Sequence, residues 1–125
     1  MLGDKDAIAT VAVKDLKAAA EFYESTLGLR KLESEGEEAV TFRSGNSTVL
    51  VYRSQYAGSN RATAVTWTVG EELDAIVAAL KAKGVSFEHY DLPGLRREGD
   101  IHVGGEMRVA WLKDLDGNIL SLANH

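Results

Sequence analysis

The feature that most constrains this chain is a pattern that occurs twice. Val13-Lys14-Asp15 reappears as Val69-Gly70-Glu71, 56 positions later, and Gly45-Asn46 reappears as Gly117-Asn118, 72 positions later. Between these anchors the apolar residues change period in the same order both times, from a strand-like run to helical spacing and back. In the first half, residues 7–13 are small, apolar or β-branched until Lys14-Asp15 interrupts them, which predicts a buried strand meeting a turn. A helix should begin at Asp15, whose carboxylate can accept from the free amides of a first helical turn. Leu16, Ala19, Ala20, Tyr23 and Leu27 recur at helical spacing up to Gly28, which can end the helix in the left-handed conformation. Three short strands are expected over residues 30–33, 39–43 and 48–53, with Gly36 and Ser44-Gly45-Asn46 as turns.

The second half repeats that order. A strand is expected over residues 63–69 and a helix over 71–83, with Leu73, Ile76, Val77 and Leu80 on one face and Gly84 at its end. Acids at Glu71, Glu72 and Asp74 and bases at Lys81 and Lys83 match the helix dipole. Strands near residues 85–89, 108–113 and 119–122 complete the unit. The unequal offsets call for an insertion, and residues 91–105, with Pro93 and four glycines, read as that loop. The fold class is therefore α+β: two pseudo-symmetric βαβββ repeats forming curved mixed sheets around a central pocket. Residues 1–125 form a single domain in this reading, with repeats over 7–53 and 63–123 and a linker over 54–62.

With 125 residues, 45% of them apolar, one packed domain is the expected count. A formal net charge of -5 offers no basic stripe for a phosphate backbone, so no nucleic-acid partner is expected. The chain has no cysteine, which excludes disulfides and thiolate metal sites and suits a reducing cytoplasm. Its first residues carry acids where an export signal carries bases, and no apolar run could span a membrane, so the chain reads as soluble, cytoplasmic and free of membrane contact.

Several of these residues also form a familiar series: Val11-Ala12-Val13-Lys14-Asp15-Leu16, Phe22-Tyr23, Leu27-Gly28 and Asp114-Leu115-Asp116-Gly117-Asn118. In order and spacing they resemble the vicinal oxygen chelate superfamily, which includes glyoxalases, extradiol dioxygenases, epimerases, thiol-transferring antibiotic-resistance enzymes and metal-free antibiotic-binding proteins. The resemblance implies a metal ligand seven residues before Asp15, where this chain has Ile8, and one seven before Glu71, where it has Ala64. A third, three after Asn118, falls on Ser121; a fourth falls near residues 49–51 or on Tyr52. Two alkyl groups and a hydroxyl do not make a site for an ion that needs imidazoles or carboxylates, so neither a metal nor another cofactor is expected.

By the same resemblance, Thr10, Thr66 and Ser121 should face the pocket; Tyr52, Tyr56 and Tyr90, each an apolar ring with a polar tip, suit its walls. Trp111 is a candidate ligand contact on a strand that could turn either face, and His102 lies on a mobile loop able to close over a ligand. Trp67 should pack in the core. His89 and Asp91 could pair as a carboxylate-oriented imidazole on a strand, or could be a solvated strand end. His102 equally reads as a surface histidine, and Arg96-Arg97 as either an anion contact or a solvated loop. No nucleophile elbow or phosphate-binding glycine motif is present. The catalytic residues stay unassigned. The expected function is metal-free binding or sequestration of a small, partly apolar organic molecule, as in bleomycin-resistance proteins, by a homodimer. The alternative is a lyase, isomerase or dioxygenase using a displaced metal site or His89, His102 and Glu106 as acid-base groups. A structural or regulatory dimer is a third class.

Overall fold

A computed structural model of the chain describes the main chain of residues 1–125 and every side chain except that of Glu35. The chain forms two compact units, Met1–Asn60 and Arg61–His125, each built on a mixed sheet.

In the first unit β1 (Ala9–Val13) runs parallel to β4 (Ser47–Arg53), and β3 (Ala39–Ser44) and β2 (Arg30–Glu35) follow antiparallel, giving the order β1-β4-β3-β2. Val11, Val51 and Val40 stand side by side across three strands, and Val49 and Phe42 form the next row; all five are buried. Helix α1 (Leu16–Glu21) starts where sequence placed it, because Asp15 accepts a hydrogen bond from the Ala18 amide at 3.1 Å. It continues as a π-helical turn, Phe22–Thr26, and Gly28 at φ 79° lets the chain leave. Ala19 and Tyr23 are buried on this helix, with the Tyr23 and Phe42 rings 6.0 Å apart. Tyr23 fills the core because its spacing puts it on the same stripe as Ala19.

In the second unit β5 (Thr63–Thr68) runs parallel to β10 (Ile119–Ala123), which pairs antiparallel with β9 (Met107–Lys113). The far edge of β9 is shared end to end. Its first half pairs with β8 (Ile101–Gly104) and its second half with β6 (Phe87–Glu88). β7 (Arg96–Glu98) lies outside β8. Helix α2 (Leu73–Ala82) follows a 3-10 turn at Gly70–Glu72 and buries Leu73, Val77 and Leu80. Its first turn is tied to β9 by two Arg108 to Asp74 hydrogen bonds of 3.0 Å, and its last turn to the β7–β8 turn by Lys81 and Asp100 at 2.7 Å. The charge order along α2 noted in the sequence thus also selects partners.

The α+β class and the repeated βαβββ order stand. The insertion differs from its expectation: instead of an open loop over residues 91–105, the chain forms the β7–β8 hairpin. Ile101, His102 and Val103 bury their side chains there, and Gly99 at φ 66° supplies the turn. Among the described residues no helix is long and apolar enough to cross a membrane.

Candidate functional site

Arg108 reaches α2, so the neighbouring residues Val109 and Trp111 on β9 belong to the opposite face. Register then defines that face. Thr66, Ser121, Trp111 and Glu88 form one row across β5, β10, β9 and β6; Thr68, Ala123, Val109, His102 and Arg97 form the next, ending on β8 and β7. Thr66 Oγ1 and Ser121 Oγ meet at 2.6 Å.

At β8 this face is covered. After β6 the main chain cannot continue along β9, because β8 already occupies that edge, so residues 89–95 cross over His102 to reach β7. The crossing is held at Tyr90, whose amide donates to His102 Nε2 at 2.9 Å. Trp111 meets both rings edge-on, with centroids 4.8 Å from His102 and 5.3 Å from Tyr90. His102 is only 1% exposed. Its role as acceptor from Tyr90 means that the neutral ring carries its proton on Nδ1. Among the described residues neither that Nδ1 nor the Tyr90 hydroxyl, both buried, has a well-formed hydrogen-bond partner. Burial is the main cause that pushes the His102 pKa below the ordinary histidine range; the main chain at Val109 and Tyr90 opposes it, while Arg97, and His89 whenever it carries charge, act with it. Burial likewise raises the Tyr90 phenol, with Glu88 adding to the effect and Lys113 opposing it.

His89 points to a different partner from the one its sequence neighbourhood suggested. Its Nε2 lies 2.8 Å from Asp100 Oδ1, not on Asp91, and Asp100 Oδ2 holds Lys81 at 2.7 Å. Chain geometry explains the correction: the strand pairing of β6 ends at Glu88, so His89 and Asp91 do not alternate on one pleated face. Hydrogen bonds from Lys81 and then His89 hold the Asp100 pKa below the usual carboxylate range. His89, Tyr90, Asp91, Leu95, Arg96 and Arg97 line a cleft of about 400 Å³. Arg96 bonds Glu98 at 2.8 Å and Arg97 bonds the Gly99 carbonyl at 3.0 Å, which leaves each guanidinium with further donors.

Five of the seven sequence candidates, Thr66, Tyr90, His102, Trp111 and Ser121, share this one face of the second unit. Thr10 and Tyr52 belong to the first unit, on the sheet face opposite the buried Val11 and Val51, where Thr10 donates to the Ile8 carbonyl at 3.2 Å and Tyr52 is 37% exposed. A cleft of about 630 Å³ on that unit is bordered by Lys14, Glu21, Lys31 and Arg53 and contains none of the seven. His102 corrects its loop expectation: it is a strand residue. The Ile101-His102-Val103 run carried the signal, since alternating β-branched residues around a histidine suit a strand paired on both sides. Asp100 was missed because its link to His89 is tertiary.

The positions where relatives by resemblance bind metal hold Ile8, which is 54% exposed, Ala64 and Ser121. Ser121 spends its hydroxyl on Thr66. Among the described residues no three histidine, aspartate or glutamate side chains gather as a metal site. The donor set does not fit a divalent ion.

The chain matches the model of the Glyoxalase/Bleomycin resistance protein/Dioxygenase superfamily over residues 7–122. No curated protein sequence matches it significantly. Solved structures that share its fold include the following three. An integron cassette protein from the mobile metagenome of the Halifax Harbour sewage outfall is 19% identical, covering 98% of this chain and 99% of that one, with a TM-score of 0.72. Lactoylglutathione lyase from Agrobacterium tumefaciens is 16% identical over 98% and 95%, with a TM-score of 0.72. The fosfomycin resistance protein FosX from Listeria monocytogenes, solved with Mn(II) and sulfate, is 21% identical over 98% and 90%, with a TM-score of 0.71.

Proposed function

The chain belongs to the Glyoxalase/Bleomycin resistance protein/Dioxygenase superfamily, and from that premise we propose that it binds a small, partly apolar organic molecule without a metal. The supporting observation is the aromatic group on the second sheet: Trp111 edge-on to both Tyr90 and His102, beside the Thr66–Ser121 hydroxyl pair. Flat apolar surface with a few polar tips suits a planar aromatic ligand that carries hydrogen-bonding groups. In this reading the two units act as one domain, because a single family description spans both. The protein works as a homodimer in the cytoplasm, in keeping with the superfamily resemblance and the absence of cysteine.

The test is a thermal-shift screen of aromatic small molecules, followed by titration of each hit with Trp111 fluorescence in a Trp67→Phe background. A ligand at 100 times its Kd stabilises the fold by about 2.7 kcal/mol, a shift of several degrees. Saturable quenching of Trp111 is the expected result, with an affinity, read by calorimetry, that weakens at least tenfold in Trp111→Leu. A wild-type protein that saturates with no member of a broad panel overturns the reading.

One observation favours an acid-base enzyme as a second reading. Asp100 orients His89 through Nε2, leaving Nδ1 as a lone pair beside a cleft bordered by Arg96 and Arg97. Turnover of a screened ligand that disappears in His89→Gln, with binding retained, would place this reading ahead of simple binding.

A further inference from the structure

The crossing of residues 89–95 over the second sheet has an attachment that depends on protonation. Tyr90 donates its amide to His102 Nε2, and a nitrogen can accept that bond only while it carries no proton. An imidazolium presents N–H groups at both positions, so the Tyr90 amide would face a donor. We propose that Tyr90 and His102 form a latch which holds this crossing over the aromatic face and releases it when His102 takes up a second proton.

The surroundings set the direction. Arg97 is the cross-strand partner of His102, and His89 faces it from the crossing with ring centroids 6.5 Å apart. Tyr90 and Trp111 supply aromatic walls, and beyond them Glu88 and Lys113 pair with each other at 3.4 Å. On the α2 side Asp100 is engaged by both Lys81 and His89. Among the described residues no carboxylate is paired with the His102 ring, so the closed crossing favours its neutral form. An open crossing exposes the ring to water and returns it toward its ordinary pKa. Acid therefore opens the latch.

His89 is held separately. Its Nε2 lies 2.8 Å from Asp100 Oδ1, a contact that does not involve His102 and keeps one end of the crossing anchored. Release is thus confined to the segment after His89. At its far end, Gly94 and Leu95 rest against Gly104, where an added Cβ would come within 2.5 Å of the Leu95 side chain. The crossing can lift only by leaving that contact as well.

The consequence for binding rests on the function proposed above, but the latch itself is read in ligand-free protein. Amide hydrogen exchange of the intact chain is measured between pH 8 and pH 5 and expressed as protection factors. Protection at Tyr90 and its neighbours should fall by up to about tenfold per pH unit below ~6.5, then level off below the closed-state pKa. Amides in the middle of α2 should keep their protection. In His102→Gln, whose side-chain carbonyl can accept from Tyr90 without titrating, the crossing should stay protected throughout. Unchanged protection in the wild type, an equal loss in His102→Gln, or loss at α2 in parallel with the crossing would each overturn the latch. None of these results bears on whether an aromatic ligand binds, which the fluorescence titration decides separately.

Discussion

The hydroxyls of Thr66 and Ser121 face each other at 2.6 Å across two parallel strands, β5 and β10. Ser121 is the position where the superfamily resemblance expects a metal-binding carboxylate, so this pair defines what the site can do. Two hydroxyls that satisfy one another offer an incoming ligand hydrogen bonds but give a divalent cation no negative charge. Dialysis against a chelator should therefore leave Tm unchanged, and added Zn2+, Mn2+ or Ni2+ should not raise it. About one metal ion per chain in purified, tag-free protein, with a Tm that falls on chelation, would refute this.

The Asp114 turn carries more stability than its position between two strands suggests. One carboxylate oxygen accepts from the amides of Asp116 and Asn118, each at 2.9 Å, and the other accepts from Asn118 Nδ2 at 2.8 Å. Asp114 is buried, so its removal strands three donors. Asp114→Ala should cost about 2 to 3 kcal/mol in urea denaturation. A loss below about 0.5 kcal/mol would mean that water replaces these bonds at no cost.

Gly104 is needed for space. Its φ is not in the left-handed region, yet a Cβ there would meet Leu95 Cδ2 at 2.5 Å and the Gly94 carbonyl oxygen at 2.9 Å. Gly104→Ala should destabilise the chain by about 1 to 3 kcal/mol. Adding Leu95→Ala should recover only part of that, because the Gly94 oxygen is main chain. Full recovery in the double variant would show that the side chain alone was the obstacle.

Stability should depend on pH in two separate windows. His102 has a lowered pKa in the fold, chiefly through burial, so the unfolded chain binds more protons below about pH 6.5. Its contribution is complete above that value and is lost as pH falls through the folded pKa. Asp100 is also lowered, by Lys81 and then His89, so its contribution is complete above about pH 4 and is lost in stronger acid. Denaturation midpoints at pH 7 and pH 5 should differ more in wild type than in His102→Gln. Equal differences would assign the upper window to another group.

Much of the architecture was legible because it follows from local chemistry and period. Asp15 caps α1, Gly28 ends the π-helical turn that follows, and Leu73, Val77 and Leu80 share the buried face of α2, all readable from spacing. The site was legible only as a set of residue types. Thr66, Trp111 and Ser121 were assigned to a ligand-facing surface, and register does bring them into one row. His102 was placed on a mobile loop because four glycines and a proline surround it, and those residues prescribe turns without saying what lies between them.

What the sequence determined by itself was the repeated βαβββ order, the buried faces and the absence of imidazole or carboxylate at the inherited metal positions. These depend on residue identity and on periods of two and 3.6, which any stretch of chain carries within itself. Tertiary structure alone decided that β6 and β8 share one edge of β9, and so where the crossing runs and what it covers. The same pairing sends Tyr90 to His102 and leaves His89 to Asp100 across 11 positions of chain. Such partners are selected by which strand edges and surfaces meet after folding, and no local preference of either residue encodes that meeting.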